Sequence, residues 1–119
     1  MKQILDVYAT AIPDRFKVAL QQIITNIINL NLSGIKTVCL FGSLARSQIT
    51  PRSDIDICIV FENTVDFHSY EYAVAKALID QNVAIDVDVV YCSETVFQTS
   101  NKPLFVHIRK DQKILLIAD

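Results

Sequence analysis

Two glycines, two histidines and three scattered cysteines in 119 residues leave little room for several common chemistries. No internal repeat, low-complexity tract or linker is present, and the two glycines, Gly34 and Gly42, both mark boundaries between patterned segments. Cys39, Cys58 and Cys92 lie far apart, each in or beside an apolar run, and no short-spaced pair of cysteines or histidines offers zinc a tetrahedral set. They read as reduced, mostly core thiols of a cytoplasmic protein. The isolated His68 and His107 read as surface or helix-face residues. Basic surplus is missing too: the formal net charge is -2, so long DNA or RNA is not the expected partner. No uncharged apolar run is long enough to cross a bilayer, and Asp6 follows Met1-Lys2 so soon that neither a signal peptide nor a membrane is expected. What is abundant is core-forming material, 51% hydrophobic against 20% charged, enough for one ordinary domain over residues 1–119.

The periodicity predicts an amphipathic helix from Asp14 to Leu32. Phe16, Leu20, Ile23, Ile24, Ile27 and Ile28 recur at three- and four-residue steps, Pro13 suits the start, and Ser33-Gly34 supplies the stop. Lys36–Phe41 reads as a buried strand closed by Gly42, and Asp54–Phe61 as a second, dense in β-branched residues. A helix is expected from Phe67 to Gln81, a third strand from Ala84 to Tyr91, short helices after Ser93-Glu94 and over Pro103–Arg109, and a closing strand from Lys113 to Ala118. Strands interleaved with helices predict an α/β or α+β domain, a mixed sheet with flanking helices. Tyr70, Tyr72 and the isoleucine-rich stripe of the first helix are expected in the core.

The chemistry concentrates in two neighbouring stretches, Leu40-Phe41-Gly42-Ser43-Leu44-Ala45-Arg46-Ser47 and Ser53-Asp54-Ile55-Asp56-Ile57. Residues two apart on a strand point the same way, so Asp54, Asp56, Cys58 and Val60 share one face while Ile55, Ile57, Ile59 and Phe61 take the other. Two carboxylates so close repel unless a cation lies between them, and oxygen donors without histidine or thiolate select magnesium or manganese over zinc. Gly42 lets a backbone approach a ligand closely. Ser43 adds a hydroxyl and opens a short helix, whose leading N–H groups suit a phosphate. An anion cradle beside cation holders is what a triphosphate requires. A further acid is expected from the third strand, where Asp86 and Asp88 face the same way, as a base toward an acceptor hydroxyl. Arg46 either steadies a phosphate or is solvated, Arg52 reads as a surface residue, and Arg109 and Lys110 reach a triphosphate only if the C-terminal helix folds over the site.

Gly42-Ser43, ten intervening residues, then Asp54-x-Asp56 resembles the signature of the polymerase-β-like nucleotidyltransferase superfamily. The Gly-Ser-x-Ala-Arg start, the Ser-Asp-Ile-Asp-Ile core and the Val-Asp-Val-Val stretch around Asp88 resemble its minimal nucleotidyltransferases (MNT), antitoxin-type partners of HEPN toxins. The likeness extends to the tail, Pro103-Leu104-Phe105, Ile108-Arg109-Lys110 and Ile114-Leu115. It implies the polymerase-β-like fold, ATP as co-substrate, Mg²⁺ as cofactor, and transfer of AMP to a hydroxyl, a tyrosine of a HEPN-type toxin, in a hetero-oligomer. It carries triphosphate binding to Gly42 and Ser43, with Arg46 alongside, and metal binding to Asp54 and Asp56. The third acid falls on Asp88 rather than Asp86, because two apolar residues, Val89-Val90, follow it. In one respect the chain departs from the family, which commonly has glycine after the arginine where Ser47 stands here. Two other readings remain: a non-catalytic nucleotide-binding module that neutralises a partner by complex formation, and an adenylyltransferase acting on a small molecule such as an antibiotic. The chain is short for a separate acceptor-binding domain, so the acceptor is expected from another molecule.

Overall fold

The structure, a computed structural model, describes residues 1–79 and 85–119. Its centre is a five-stranded sheet in the order β1-β5-β2-β3-β4, formed by β1 (Lys2–Gln3), β2 (Ile35–Phe41), β3 (Ile55–Phe61), β4 (Val87–Ser93) and β5 (Lys113–Ile117). Every pairing is antiparallel except β3 with β4. A parallel pair needs a crossover connection, and the helix α3 (Glu71–Ile79) lies in that connection. The expected mixed sheet with flanking helices is therefore what the chain forms.

One face of the sheet is covered by α1 (Asp14–Leu30) and α3, which pack against each other. Phe16, Ala19, Leu20, Ile23, Ile24 and Ile27 return to one side of α1 every three or four residues, and all are buried. They meet Val38, Leu40, Ile55, Ile57, Ile59 and Phe61 from β2 and β3 in one continuous core. Isoleucine is not a strong helix former, so burial of this stripe rather than propensity holds the helix. The other face lies beneath the short helices α4 (Glu94–Thr99) and α5 (Pro103–Asp111). There a smaller core gathers Cys39, Cys58, Val60, Cys92, Phe105 and Ile108. The three cysteines are free and buried, with Cys58 Sγ and Cys92 Sγ 3.8 Å apart. Hydrogen bonds with its two neighbours, followed by burial, push the Cys58 thiol up.

Boundaries differ from expectation where local chemistry acts early. The first helix stops at Leu30, because Asn31 adopts a left-handed conformation (φ 50°) and its N–H bonds back to Ile28 O, so Ser33-Gly34 comes after the stop. The expected Phe67–Gln81 helix begins with a 3₁₀ turn over Phe67–Tyr70 before α3, and Gln81 lies outside the described residues, as does Ala84, the expected start of the third strand. The strand itself starts at Val87 and runs past Tyr91 to Ser93, whose side chain then caps α4 by accepting from Val96 N–H. Tyr70 is half-buried and stacks on Phe61, but Tyr72 is 80% exposed, so its expected place in the core was wrong. Tyr72 follows Glu71 at the start of α3, on the side turned away from the buried Val74 and Leu78. Strand β1 and a 3₁₀ turn over Val7–Ala9 were not anticipated; they are short and gain their order from β5 and α1.

Candidate functional site

Strand alternation carries the apolar core and the acids on the same backbone. On β3, Ile55, Ile57 and Ile59 enter the large core, while Cys58 and Val60 enter the small one. Asp56 has the second orientation but lies at the strand's beginning, where the helices no longer cover it fully. Its partner across β2 is Phe41, and its partner across β4 is Asp88. Register alone thus brings together the end of β2, the start of β3 and the start of β4. Asp54 stands just before β3, half-buried, and Ile55 N–H after it donates to Asp86 O at 2.9 Å. Asp86 and Asp88 are both exposed, but Asp88 is the one in register with Asp56.

Gly42 ends β2 and begins the single-turn helix α2 (Gly42–Ala45). It has φ 75°, a conformation that L side chains rarely adopt, and any Cβ at this position would run into the Asp56 carboxylate. Glycine is thus required here twice, by its own backbone and by the acid packed against it. Leu44 and Ala45 are buried and anchor the turn. Among the described residues no side chain caps its N-terminus, which leaves the leading N–H groups and the partly exposed Ser43 hydroxyl open to a ligand. Arg46 closes the turn and pairs with Asp111 on α5, Nη1 to Oδ2 at 2.9 Å, while its Nε donates to Gln48 Oε1 at 3.2 Å. Ser47 then takes φ 59°. This left-handed step is the physical reason that a glycine suits the position following the arginine.

Electrostatically the acids form a strained group. Burial first, then the neighbouring charges of Asp88 and Asp54, then a hydrogen bond with the Asp88 side chain push the Asp56 carboxyl up to about 6, with Arg46 opposing. Among the described residues no three His, Cys, Asp or Glu side chains already converge at metal-binding distance. Asp54, Asp56 and Asp88 are instead linked through Asp56. Their oxygen-only donor set and the mutual repulsion that raises Asp56 fit a hard divalent cation such as Mg²⁺, which would neutralise the charge they gather.

The expected residues Gly42, Asp54, Asp56 and Asp88 thus meet at one end of the sheet, with Ser43 and Arg46 on the adjoining turn. Arg52 is exposed on the loop before Asp54, and His68 is exposed and paired with Glu71 away from the acids. What the sequence did not reveal is the wall opposite the turn. A groove of about 560 Å³ runs between Phe41-Gly42-Arg46 and α5, where Leu104, His107, Lys110 and Asp111 line it. Arg109 does not share it: Nη1 donates to Phe97 O at 2.7 Å and Nη2 to Ser100 O at 2.8 Å, tying α5 to the end of α4. The only sequence signal for this wall was the cluster of basic residues near the end of a short helix, which does not say which one turns inward.

Comparison with known proteins agrees with this geometry. The nucleotidyltransferase domain family matches residues 20–116. A solved candidate nucleotidyltransferase from Sulfolobus solfataricus is 19% identical with a TM-score of 0.54, covering 89% of this chain and 89% of its own. A chain of a toxin–antitoxin complex crystallised with AMP-PNP is 24% identical with a TM-score of 0.53, covering 81% of this chain and 74% of its own. A chain of a mutant MntA–HpeT toxin–antitoxin complex is 24% identical with a TM-score of 0.58, covering 84% and 73%. At this identity the structural likeness establishes the fold. No curated protein matches.

Proposed function

The chain belongs to the nucleotidyltransferase domain family, and from that premise we propose that it transfers AMP from ATP, with Mg²⁺, to a tyrosine hydroxyl of a HEPN-type toxin and so acts as its antitoxin. The observation that carries this reading is the Asp56–Asp88 pair held against the Gly42 turn, with Asp54 beside it. Nothing in packing calls for three acids there, and a site with repelling charges and an open anion cradle suits a metal-bound triphosphate. The toxin–antitoxin setting of two structural neighbours, one with an ATP analogue, supports the choice of donor and partner. No helix among the described residues is long and apolar enough to cross a membrane.

In this mechanism Gly42 N–H, Ser43 Oγ and the following amides grip the phosphate oxygens. Arg46, held by Asp111, sets the position of the turn and adds positive charge beside it. Asp54, Asp56 and Asp88 would hold Mg²⁺, which when bound neutralises charge building on the transferred phosphoryl group and the leaving pyrophosphate. The Asp88 carboxylate accepts the proton of the tyrosine hydroxyl as its oxygen bonds to the α-phosphorus. The bond from the α-phosphorus to the oxygen bridging to the β-phosphate breaks, and pyrophosphate leaves. The protein, ATP radiolabelled at the α-phosphate, Mg²⁺ and the partner toxin together test the proposal. Label is expected on the toxin and absent with the Asp54→Ala/Asp56→Ala variant. Neutralisation of the toxin without any label transfer would overturn it in favour of inhibition by complex formation.

A further inference from the structure

The cations in and beside the groove between the Gly42 turn and α5 differ in freedom. Arg46 is already paired with Asp111, and Arg109 is committed to the carbonyls of Phe97 and Ser100. Lys110, which lines the groove beside Gly42, has no ion-pair or hydrogen-bond partner among the described residues and is exposed. A free ammonium next to an amide-lined turn is a charge without an anion. The groove's volume of about 560 Å³ falls within the range of about 300–1,000 Å³ typical of small-molecule sites. Its α5 wall also has an apolar side chain, Leu104, 45% exposed, and the exposed His107. Cation, backbone donors and an apolar surface in one groove match a nucleotide, whose phosphates and base need different neighbours.

We propose that this groove seats the nucleoside triphosphate and that Lys110 is its cation for the β- and γ-phosphates. The inference rests on the nucleotidyltransferase reading and adds to it a residue that the Gly-Ser and Asp-x-Asp pattern does not contain. Arg109 and Lys110 are neighbours in sequence, yet an α-helix turns by about 100° per residue, so only one of them can face the turn. The ion pair of Arg46 with Asp111 bridges α2 and α5 and keeps the groove's two walls together. Lys110 thus discriminates by phosphate number: a triphosphate reaches it, whereas a monophosphate seated on the α-phosphate position does not.

Binding of ATP and AMP with Mg²⁺ to the full chain without an acceptor, measured by titration calorimetry, tests this. Lys110→Gln is expected to weaken ATP about five- to tenfold, to leave AMP within twofold, and to leave the melting temperature unchanged. Lys110→Arg should restore most of the ATP affinity. Lys76→Gln, on α3 across the sheet, should have no effect, which separates a local contact from overall charge. ATP binding by the wild type that is unaltered in Lys110→Gln, or equal losses for ATP and AMP, would overturn the role of Lys110 while leaving the proposed transferase intact. Failure of the wild type to bind ATP at all would overturn both.

Discussion

The two faces of the sheet are built from the same strands yet differ in almost every property. Beneath α1 and α3 the packing is aliphatic and aromatic from end to end, with Val38, Leu40, Ile55, Ile57, Ile59 and Phe61 in one core. Beneath α4 and α5 the side chains are smaller and softer, Cys39, Cys58, Val60 and Cys92, and at one end they give way to Asp56 and Asp88. The first face contributes stability and little else. The second is cut short, leaving Asp56 only partly covered and Asp88 exposed beside it. The proposed site occupies the part of the sheet that packing leaves unfinished.

Adjacent residues of β3 provide the widest test of that division. Asp56→Asn should lower AMP transfer by about 10³-fold, on the order of 4 kcal/mol in the barrier, while the metal-free protein melts no lower than wild type at pH 7.5. Its neighbour Ile57→Ala should cost about 2–5 kcal/mol of stability, with transfer per folded molecule nearly unchanged. Thermal melts and single-turnover transfer on both variants check the pair. If Asp56→Asn unfolds the protein or Ile57→Ala silences folded enzyme, the two faces are not separable in this way.

The pH dependence of stability should sharpen the contrast. Asp56 has its carboxyl raised to about 6, against about 3.9 for an unfolded aspartate. A raised acid favours the folded state in its protonated form, so that contribution is complete below about pH 4 and is lost as pH climbs through about 6. Relative to Asp56→Asn, metal-free wild type should therefore lose melting temperature between pH 4.5 and pH 7. Mg²⁺ with ATP should reduce the loss. A pH-independent difference between the two proteins would mean that Asp56 carries no such strain.

The smallest expected effect lies at the turn joining the faces. Ser47→Gly should relieve the left-handed backbone at φ 59°, gaining about 0.5–1 kcal/mol after the larger chain entropy of glycine is subtracted. A melting temperature that rises slightly, with unchanged ATP affinity, would place Ser47 on the packing side of the comparison. A fall would show that the serine side chain contributes more than its backbone costs.

Much of this architecture was legible in the order of residues because it depends on local periods. The three- and four-residue stripe of α1 and the alternation of isoleucine with acid on β3 were both readable without coordinates. So was the pairing of Gly42 with the acids, since Gly42 closes one strand and the acids open the next, with only a helical turn and a loop between them. Boundaries were less legible: Asn31 ends α1 by its own left-handed conformation, a choice that asparagine allows but does not dictate. Tyr72 was misplaced because its ring was weighed above its position: two residues before Val74, it lies on the opposite side of α3 from the buried Val74 and Leu78.

Which residues can face together was determined by the sequence alone, because side-chain direction along a helix or strand follows from backbone geometry over a few residues. Which of them meet was decided only by the tertiary structure. The register of β3 against β4 sets Asp88 opposite Asp56. The docking of α5 brings Asp111 to Arg46 across 65 positions and turns Lys110, not Arg109, toward Gly42. These outcomes depend on how separately formed elements slide and rotate against a shared core. That packing minimum belongs to the whole chain and has no period in the sequence.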